Sequence, residues 1–410
     1  MDLPMAPTRS ADTSETEAGS TLGLPGLSGI EPTALATWLA NRGEPTYRAR
    51  QVADAVFGGT VESMADIVTL PGELRRALSA AFRFDTLIET ELRIADEGLT
   101  EKALHRLADG ALIESVLMHY PARRGARERH TLCISSQAGC AVGCPFCATG
   151  ELGFGRDLQT AEIVDQVRSA SRRLIAAGKR LTNIVFMGMG EPLLNLDRVL
   201  AAIEALNDPH RFGLGARHIT VSTSGVVPGI RRLTALGPQF TLAVSLHAAR
   251  DPLRDVLVPL NRRWPVAEVV TAAREHAAAT GRRISYEVTM ISGVNDTQVD
   301  ADAMADLLRG DNAHVNLIPM NPVAHTPWVS SPMPVIERFA AILLEAGIQT
   351  TIRGNRGVDV GAACGQLAAE RAGEPPAPAV ARRRARLIAE SAAALQGERS
   401  HEPAPVGVGD

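Results

Sequence analysis

Three cysteines lie within eight residues of one another in a chain of 410 residues that has five cysteines in all. Cys140, Cys144 and Cys147 follow the pattern C-x3-C-x2-C in the stretch GCAVGCPFCATG. Thiolates are soft ligands that suit zinc or iron–sulfur clusters. A structural zinc site normally has four protein ligands in two close pairs, and the sequence has no second pair. The spacing therefore favours a four-iron cluster, with one iron open to a small molecule, over a chance group of buried or reactive thiols.

The elements that must position this loop alternate between strands and helices. From Thr131 onward, short β-rich runs such as NIVFMG and TLAVSLHA alternate with helix-length segments such as TAEIVDQVRSASRRLIAAGK. This alternation predicts an α/β fold with parallel strands and helical crossovers, closed or partly closed into a barrel. Ligand sites in such barrels lie at the carboxyl ends of the strands, and the cysteine loop follows the first strand.

Helical and antiparallel segments precede this region. Three apolar-periodic pieces between Glu31 and Phe82 predict a small helical domain, and alternation around an Asp-Gly pair between Asp85 and Tyr120 predicts a hairpin. The N-terminal residues are too poor in large apolar groups to fold, and the alanine-rich C-terminal stretch predicts a helix on a flexible linker. The predicted divisions are a flexible tail over 1–29, the helical domain over 30–84, the hairpin and a linker over 85–130, the α/β core over 131–367 and a second tail over 368–410.

The composition limits the kind of partner and the compartment. With 42 basic and 46 acidic residues the formal net charge is -4, so any nucleic-acid surface must be a local patch. The odd number of cysteines and their clustering favour metal binding or catalysis in a reducing compartment over a disulfide framework. The sequence shows neither an apolar run long enough to span a bilayer nor a secretory signal pattern. We therefore expect a cytoplasmic protein with no membrane contact.

The cysteine motif, with Phe146 before its last cysteine, resembles the hallmark of radical S-adenosylmethionine (SAM) enzymes. Further stretches, among them TLCISSQAGCAVGCPFCATG, GMGEPLLN, AVSLHA, LIPMNP and RGNRGVDVGAACGQL, are similar to the RlmN/Cfr family of RNA methyltransferases. The similarity runs from about Pro32 to Leu367. It implies the partial (β/α) barrel of radical SAM enzymes, a [4Fe-4S] cluster on Cys140, Cys144 and Cys147, and two SAM molecules per turnover.

The resemblance also implies which residues contact SAM. The stretch GMGEP is similar to the family's GGE element, with Met189 at the middle position. Glycines at such a strand end let a ligand approach the backbone closely. His247 on its own would be more typical of a hydrogen-bonded structural histidine. The implied SAM contacts are Gly190, Glu191, Ser222, Ser245, Leu246, His247 and Asn321.

Cys133 and Cys364 lie outside the cluster motif. A free cysteine is most often a small buried hydrophobe, and either one alone would be interpreted in that way. The resemblance instead implies that one SAM methylates Cys364 and that a second is cleaved to a 5′-deoxyadenosyl radical, which removes hydrogen from the S-methyl group. The carbon radical then adds to adenine C2, an electron-poor carbon that cannot attack a methyl donor directly. Cys133 finally attacks the sulfur of Cys364, which releases methylated RNA, leaves a disulfide and requires the two cysteines to meet.

Glu114, in LIESVLMHYP, corresponds to the family's carboxylate that removes the ring proton. Without the family match, a solvated strand glutamate would be the favoured interpretation. A general base must lie within hydrogen-bond reach of its proton, so we expect the predicted hairpin to cover the active site.

The substrates implied by the resemblance are an adenosine of 23S rRNA in the peptidyl transferase centre and the adenosine 3′ of the anticodon in a subset of tRNAs. The implied electron donor is of flavodoxin or ferredoxin type, and we expect a monomer that splays the target adenosine out of its stack. A role of the helical domain in holding RNA comes from the resemblance alone. Basic residues near the two lone cysteines could grip phosphates, although a charge run is usually a solvated face; these are Arg123, Arg124, Arg127, Arg129, Arg353 and Arg356.

Two other functions stay open. The methylated position could be adenine C8, as in Cfr, which uses the same cluster and cysteine pair. A protein of a different class, a non-catalytic RNA-binding scaffold with a structural metal, is disfavoured by the presence of Cys133, Cys364 and Glu114.

Overall fold

The structure is a computed structural model that describes residues 23–123, 125, 127–237, 239–324, 326–354 and 356–368, with scattered positions between 378 and 389. Most of the two predicted tails lies outside the described residues. Arg124 of the predicted basic run lies outside them as well.

The N-terminal part of the described chain is helical. Helices α1 (Pro32–Ala40), α2 (Tyr47–Phe57) and α3 (Gly72–Ala81) enclose an apolar core of their own, in which Leu39, Val52 and Leu78 are almost fully buried. Each such burial contributes about 1.5–3 kcal/mol to folding. The Arg168 guanidinium fastens these helices to the rest of the protein by donating to the carbonyls of Val56 (2.9 Å) and Phe84 (2.7 Å).

Three antiparallel strands follow the helices. They are β1 (Leu87–Ala95), β2 (Thr100–Leu107) and β3 (Leu112–Tyr120). The predicted hairpin corresponds to β2 and β3, and β1 adds a third strand on the outer edge. The hairpin is part of the main sheet, because β3 pairs antiparallel with β4 (Arg129–Cys133), the first strand of the α/β core.

The α/β core continues as parallel strands with helical crossovers. Within the described residues ten strands form one sheet in the order β1-β2-β3-β4-β7-β8-β9-β10-β11-β12, and β5 and β6 form a small second sheet. The remaining strands are β5 (Gln137–Gly139), β6 (Phe154–Asp157), β7 (Asn183–Phe186), β8 (Ile219–Thr223), β9 (Thr241–Ser245), β10 (Ile284–Met290), β11 (Ala313–Pro319) and β12 (Gln349–Ile352). The helices are α4 (Ala148–Leu152), α5 (Thr160–Ala176), α6 (Leu196–Asn207), α7 (Val227–Leu236), α8 (Asp251–Leu257), α9 (Val266–Thr280), α10 (Gln298–Leu308) and α11 (Met333–Glu345).

The sheet is open, because β1 and β12 do not pair in the described chain. The prediction of an α/β fold with a partial barrel is therefore confirmed. Its main core lies between the sheet and the helices, where residues such as Val167, Phe186 and Val288 are buried. None of the helices in the described part of the chain is long and apolar enough to cross a membrane.

Candidate active site

A cavity opens at the carboxyl ends of the parallel strands, and we call it the cluster-loop cavity. Most of the predicted cofactor-binding residues line it: Cys140, Cys144, Cys147, Gly190, Glu191, Ser222, Ser245, His247 and Asn321. Leu246 does not line it, because its side chain is fully buried in the main apolar core. The Leu246 backbone N–H donates at 3.0 Å to the carbonyl of Glu287, a residue that does line the cavity.

The three cysteines of the motif lie on the loop between β5 and α4 and are free thiols. Burial raises the pKa of Cys140 to about 12 and also raises the pKa of Cys144 and of Cys147. Buried thiols of this kind become thiolates only beside a cation, which bound iron provides. Among the described residues no three His, Cys, Asp or Glu side chains converge tightly enough to hold one metal ion. Three cysteine thiols on one loop are the donor set that a [4Fe-4S] cluster would use.

The turn before this loop requires glycine. Gly139 has φ +76°, and a Cβ added to it would lie 1.9 Å from the carbonyl oxygen of Gly153. The Cys140 N–H donates to the same carbonyl at 2.8 Å, which fixes the start of the cysteine loop. The loop is therefore held by backbone contacts that no larger residue would permit.

The Glu191 carboxylate joins two strand-end loops at the cavity wall. One oxygen accepts from the Leu193 N–H (3.1 Å), and the other accepts from the N–H and the hydroxyl of Ser224 (both 2.7 Å). Gly190 precedes it with φ +101°, and a Cβ there would meet the Gln137 side chain at 2.5 Å. Burial raises the pKa of Glu191, while these hydrogen bonds oppose that rise.

His247 is held as a neutral imidazole between two walls of the cavity. Burial, with a smaller contribution from the positive charge of Arg254, lowers its pKa to about 3. Its Nδ1 accepts from the Thr289 N–H at 3.1 Å, and its ring lies 4.6 Å from that of Phe146 in the cysteine loop. His247 therefore ties the cysteine loop to the end of β9 and presents an uncharged ring to the cavity.

Arg254 lies behind this wall and supports it, and the sequence did not single it out. It is fully buried and donates to the carbonyls of Leu246 (3.0 Å), Ser224 (2.7 Å) and Ser245 (3.2 Å). Burial lowers its pKa to about 10, so it stays cationic at neutral pH. Arg254 lies on α8 and not at a strand end. The sequence signal that could have revealed it was an arginine among the apolar positions of this helix, between Leu253 and Leu257.

Residues 356–368, which we call the Cys364 segment, are hydrogen-bonded to the start of α4, directly after the cysteine loop. The Gly365 carbonyl accepts from the Ala148 N–H and the Leu367 carbonyl accepts from the Thr149 hydroxyl, both at 2.7 Å. The Asn321 side-chain amide donates to the Cys364 carbonyl at 2.9 Å. These bonds place Cys364 on the wall of the cluster-loop cavity.

A second cavity adjoins the first, and we call it the cysteine-pair cavity because Cys133 and Cys364 both line it. Cys364, Asn321 and Arg353 belong to the walls of both cavities. Burial raises the pKa of Cys133 to about 12, while the charge of Arg353 opposes that rise. The five cysteines are all described and none is paired in a disulfide. The structure thus brings the two lone cysteines to one cavity as thiols.

Glu114 lies beside this site but lines neither cavity among the described residues. Its side chain is fully buried, in contrast to a solvated strand glutamate. One carboxylate oxygen lies 2.8 Å from the Lys102 ammonium, and the other accepts from the Ala368 N–H at 3.1 Å. The hairpin does contribute to the wall of the cysteine-pair cavity, through Val116 and Tyr120 of β3.

Cationic side chains surround Tyr120 at the cysteine-pair cavity. The guanidinium carbons of Arg129 and Arg356 lie 4.2 and 4.4 Å from the centre of its ring. Arg123, Arg127 and Arg129 are exposed. The described residues of the predicted basic run therefore lie on the surface, and Arg129 contacts Tyr120 of the cavity wall.

The fold and the cysteine loop define a radical SAM enzyme, and comparison with known proteins supports this class. The sequence model of the Radical SAM superfamily matches residues 134–305. The cofactors of this class, a [4Fe-4S] cluster and SAM, fit the buried thiols and the polar strand ends of the cluster-loop cavity.

Several curated relatives carry the name "Probable dual-specificity RNA methyltransferase RlmN". The relative from Salinispora arenicola is 49% identical over 347 residues, which cover 83% of this chain and 90% of the relative. The relative from Thermobifida fusca is 48% identical over 350 residues, 84% of this chain and 94% of the relative. A crystal structure of a radical SAM methyltransferase from Sphaerobacter thermophilus superposes with a TM-score of 0.81 at 45% identity, covering 84% of this chain and all of that chain. The chain belongs to the RlmN family of radical SAM methyltransferases.

Proposed function

We propose that the protein methylates C2 of an adenosine in the peptidyl transferase centre of 23S rRNA and of the adenosine 3′ of the anticodon in a subset of tRNAs. The observation that carries the proposal is the position of Cys364, whose residue borders both the cluster-loop cavity and the cysteine-pair cavity. A sulfur at that junction can accept a methyl group on one side and deliver its carbon on the other. The relatives are named as RNA methyltransferases, and this supports an RNA substrate.

The chemistry of the first half-reaction falls to Cys364. When bound, the cluster and SAM supply the methyl group and the one-electron chemistry of the reaction. Cys364 loses its thiol proton and gains an S–CH3 bond, and that methyl group later loses one hydrogen atom and forms a carbon–carbon bond to adenine C2. The hydrogen bonds from Ala148 and Thr149 to the Cys364 segment keep this sulfur beside the cysteine loop.

Cys133, which also lines the cysteine-pair cavity, completes the reaction. After the ring has lost one proton and one electron, the Cys133 thiolate attacks the sulfur of Cys364. A sulfur–sulfur bond forms, the sulfur–carbon bond breaks, and the departing carbon takes a proton to become the methyl group on RNA. The two electrons come from the cysteine pair. A donor of flavodoxin or ferredoxin type would supply the single electron that cleavage of SAM requires, and two electrons and two protons from a thiol reductant then convert the disulfide back to two thiols.

Glu114 takes the ring proton in this proposal, and its position supports the role only in part. The register of β3 and β4 pairs Cys133 with Val116, two residues from Glu114, so the side chains of Cys133 and Glu114 point to the same face of the sheet. The carboxylate is buried under the Cys364 segment, and it must be uncovered before it can reach RNA.

The side chains around Tyr120 support the capture of an unstacked base at the cysteine-pair cavity. Tyr120 offers an aromatic face, and Arg129 and Arg356 beside it offer charge for phosphates. An adenosine splayed out of its stack would enter the cysteine-pair cavity past these groups. A monomeric state, a cytoplasmic location and RNA binding by the N-terminal helices stay predictions.

The test is to map the modified nucleotide. Anaerobically reconstituted enzyme is incubated with SAM, a reductant and fragments of 23S rRNA or tRNA, and the digested RNA is analysed by mass spectrometry. We expect 2-methyladenosine at one adenosine of each substrate. If 8-methyladenosine were the sole product, the C2 assignment would be wrong, and a protein that consumed no SAM would instead be the non-catalytic scaffold.

A further inference from the structure

Both ends of the Cys364 segment are attached to one buried ion pair. Three residues before Cys364, the Gly361 carbonyl accepts from the Lys102 ammonium at 3.1 Å. Four residues after it, the Ala368 N–H donates to the Glu114 carboxylate at 3.1 Å. Lys102 and Glu114 are themselves 2.8 Å apart. One ion pair therefore spans the segment that presents the reactive sulfur.

The sheet register explains why this pair can reach the segment. In the pairing of β2 with β3, Lys102 is opposite Val116 and Leu104 is opposite Glu114, so the two charged residues are diagonal neighbours on one face. That face is covered by the Cys364 segment, and relative exposures are 5% for Lys102 and 0% for Glu114. A lysine is almost never buried in this way unless it is paired.

The segment also packs closely against the turn between β1 and β2 and against the first residue of β2. The Gly357 N–H donates to Asp96 at 2.9 Å, and a Cβ added to Gly357 would meet the Thr100 side chain at 2.8 Å. These contacts precede Cys364 by several residues, whereas those of Lys102 and Glu114 flank it on both sides. The ion pair can therefore fix the position of the Cys364 sulfur.

We propose that the Lys102–Glu114 ion pair is a two-point clamp on the Cys364 segment, and that Lys102 is a positioning residue for Cys364. The inference rests on the proposed function, in which Cys364 carries the methyl group. The closed clamp holds Cys364 against the cysteine loop for methylation. Its opening at Ala368 frees the Glu114 carboxylate, which then removes the ring proton.

The test compares variants of the full-length, cluster-reconstituted enzyme. Lys102→Met removes the ammonium, and because it takes away the cation beside a buried carboxylate it can also impair folding. The double variant Lys102→Met/Glu114→Gln removes both charges and keeps an acceptor for the Ala368 N–H. Lys102→Arg restores the cation. Lys179→Met is the matched control, because Lys179 is on the surface, with 42% of its side chain exposed, and pairs with Glu128.

Two readouts are taken without RNA. Amide hydrogen exchange of peptides covering 356–368 reports how firmly the segment is held. In the double variant we expect exchange about tenfold faster and Cys364 methylation, measured as one added methyl group on the protein, about tenfold slower, the factor for losing one charge-assisted hydrogen bond. Lys102→Arg should return both values to within about threefold of the wild type, and the KM for SAM should stay unchanged because Lys102 does not line the cluster-loop cavity.

The outcomes separate this clamp from the proposed function. A folded double variant with wild-type exchange and wild-type Cys364 methylation would overturn the clamp, as would equal effects in Lys179→Met. Exchange is measured with neither SAM nor RNA present, so it tests the clamp even if the reaction proves different. A wild-type enzyme that forms no methyladenosine would contradict the proposed function and leave the exchange result standing.

Discussion

The cluster-loop cavity and the cysteine-pair cavity meet at Cys364 but are built in different ways. Apart from the Cys364 segment, the first is formed mainly by loops that follow successive parallel strands, so most of its polar groups lie next in sequence to the strand that positions them. The second joins β3, β4 and the Cys364 segment, and the bond between Glu114 and Ala368 links residues 254 positions apart. In the proposed function, the residues for the SAM chemistry are therefore positioned mainly by the strands that precede them. The residues for the RNA chemistry are positioned by contacts between distant parts of the chain.

The difference implies that damage to the first cavity stops every step, whereas damage to the second stops only the steps that involve RNA. Cys364 should accept a methyl group in the absence of RNA when the cluster-loop cavity is intact and the Lys102–Glu114 ion pair holds its segment in place. Delivery of that group, and release of the product, should depend on Cys133, Tyr120 and the residues around them.

The largest effect is expected for Cys144→Ala. Loss of one of three thiolate ligands should remove the cluster, so bound iron, SAM consumption, Cys364 methylation and RNA methylation should all fall below detection. Iron analysis and mass spectrometry of protein and RNA measure these quantities. A Cys133→Ala protein prepared in parallel should retain its iron. Substantial RNA methylation by Cys144→Ala would show that the motif does not hold the catalytic cluster.

Cys133→Ala should leave methylation of Cys364 unchanged and should stop the reaction with RNA after the transfer of one carbon. The carbon delivered from Cys364 can no longer be released, because no thiolate attacks the sulfur. We expect a covalent protein–RNA adduct of up to one equivalent, seen as a band on a denaturing gel, with multiple turnover reduced by at least about 100-fold. Free methylated RNA in wild-type amounts, without an adduct, would remove Cys133 from the release step.

The rate of product release should increase with pH. Burial raises the pKa of Cys133 to about 12, so at neutral pH it is almost entirely a protonated thiol. Because only the thiolate attacks, the rate of adduct breakdown should rise about tenfold for each pH unit between pH 7 and 9. Single-turnover kinetics of product release measure this slope. A rate that is flat over this range would mean that the thiolate is formed by another route or does not limit release.

The smallest effect is expected for Tyr120→Ala. The loss of one stacking platform should weaken RNA binding by about 1–3 kcal/mol and raise the KM for RNA by roughly tenfold or more. Methylation of Cys364 in the absence of RNA should be unchanged, because Tyr120 lines only the cysteine-pair cavity. Equal losses in both measurements would mean that Tyr120 supports the fold and not RNA binding.

The same contrast explains how much the sequence could predict. The cysteine loop and the strand-end residues were accessible because spacing and strand pattern are local. Leu246 shows what the strand pattern leaves open: its side chain is buried in the apolar core, so the SAM contact expected there, which stays a prediction, would involve its backbone. The family resemblance gave a role to Glu114 but not its surroundings.

Residues that act through distant partners were missed. Arg254 binds the ends of two strands from a helix, and Lys102 looks like an ordinary strand lysine until the Cys364 segment covers it. Neither position is marked by local periodicity, because the partner of each is set by the tertiary fold. The third antiparallel strand, β1, was merged into the predicted hairpin for a related reason, since alternation alone does not count strands.

The central claim is that the Cys364 sulfur carries the carbon that ends on adenosine. The enzyme is first loaded with SAM that bears a deuterated methyl group, freed of SAM, and then mixed with RNA and unlabelled SAM for a single turnover. We expect deuterium in the first methyladenosine formed and its loss from Cys364, both by mass spectrometry. Unlabelled methyladenosine, formed while Cys364 keeps its deuterated methyl group, would contradict the account.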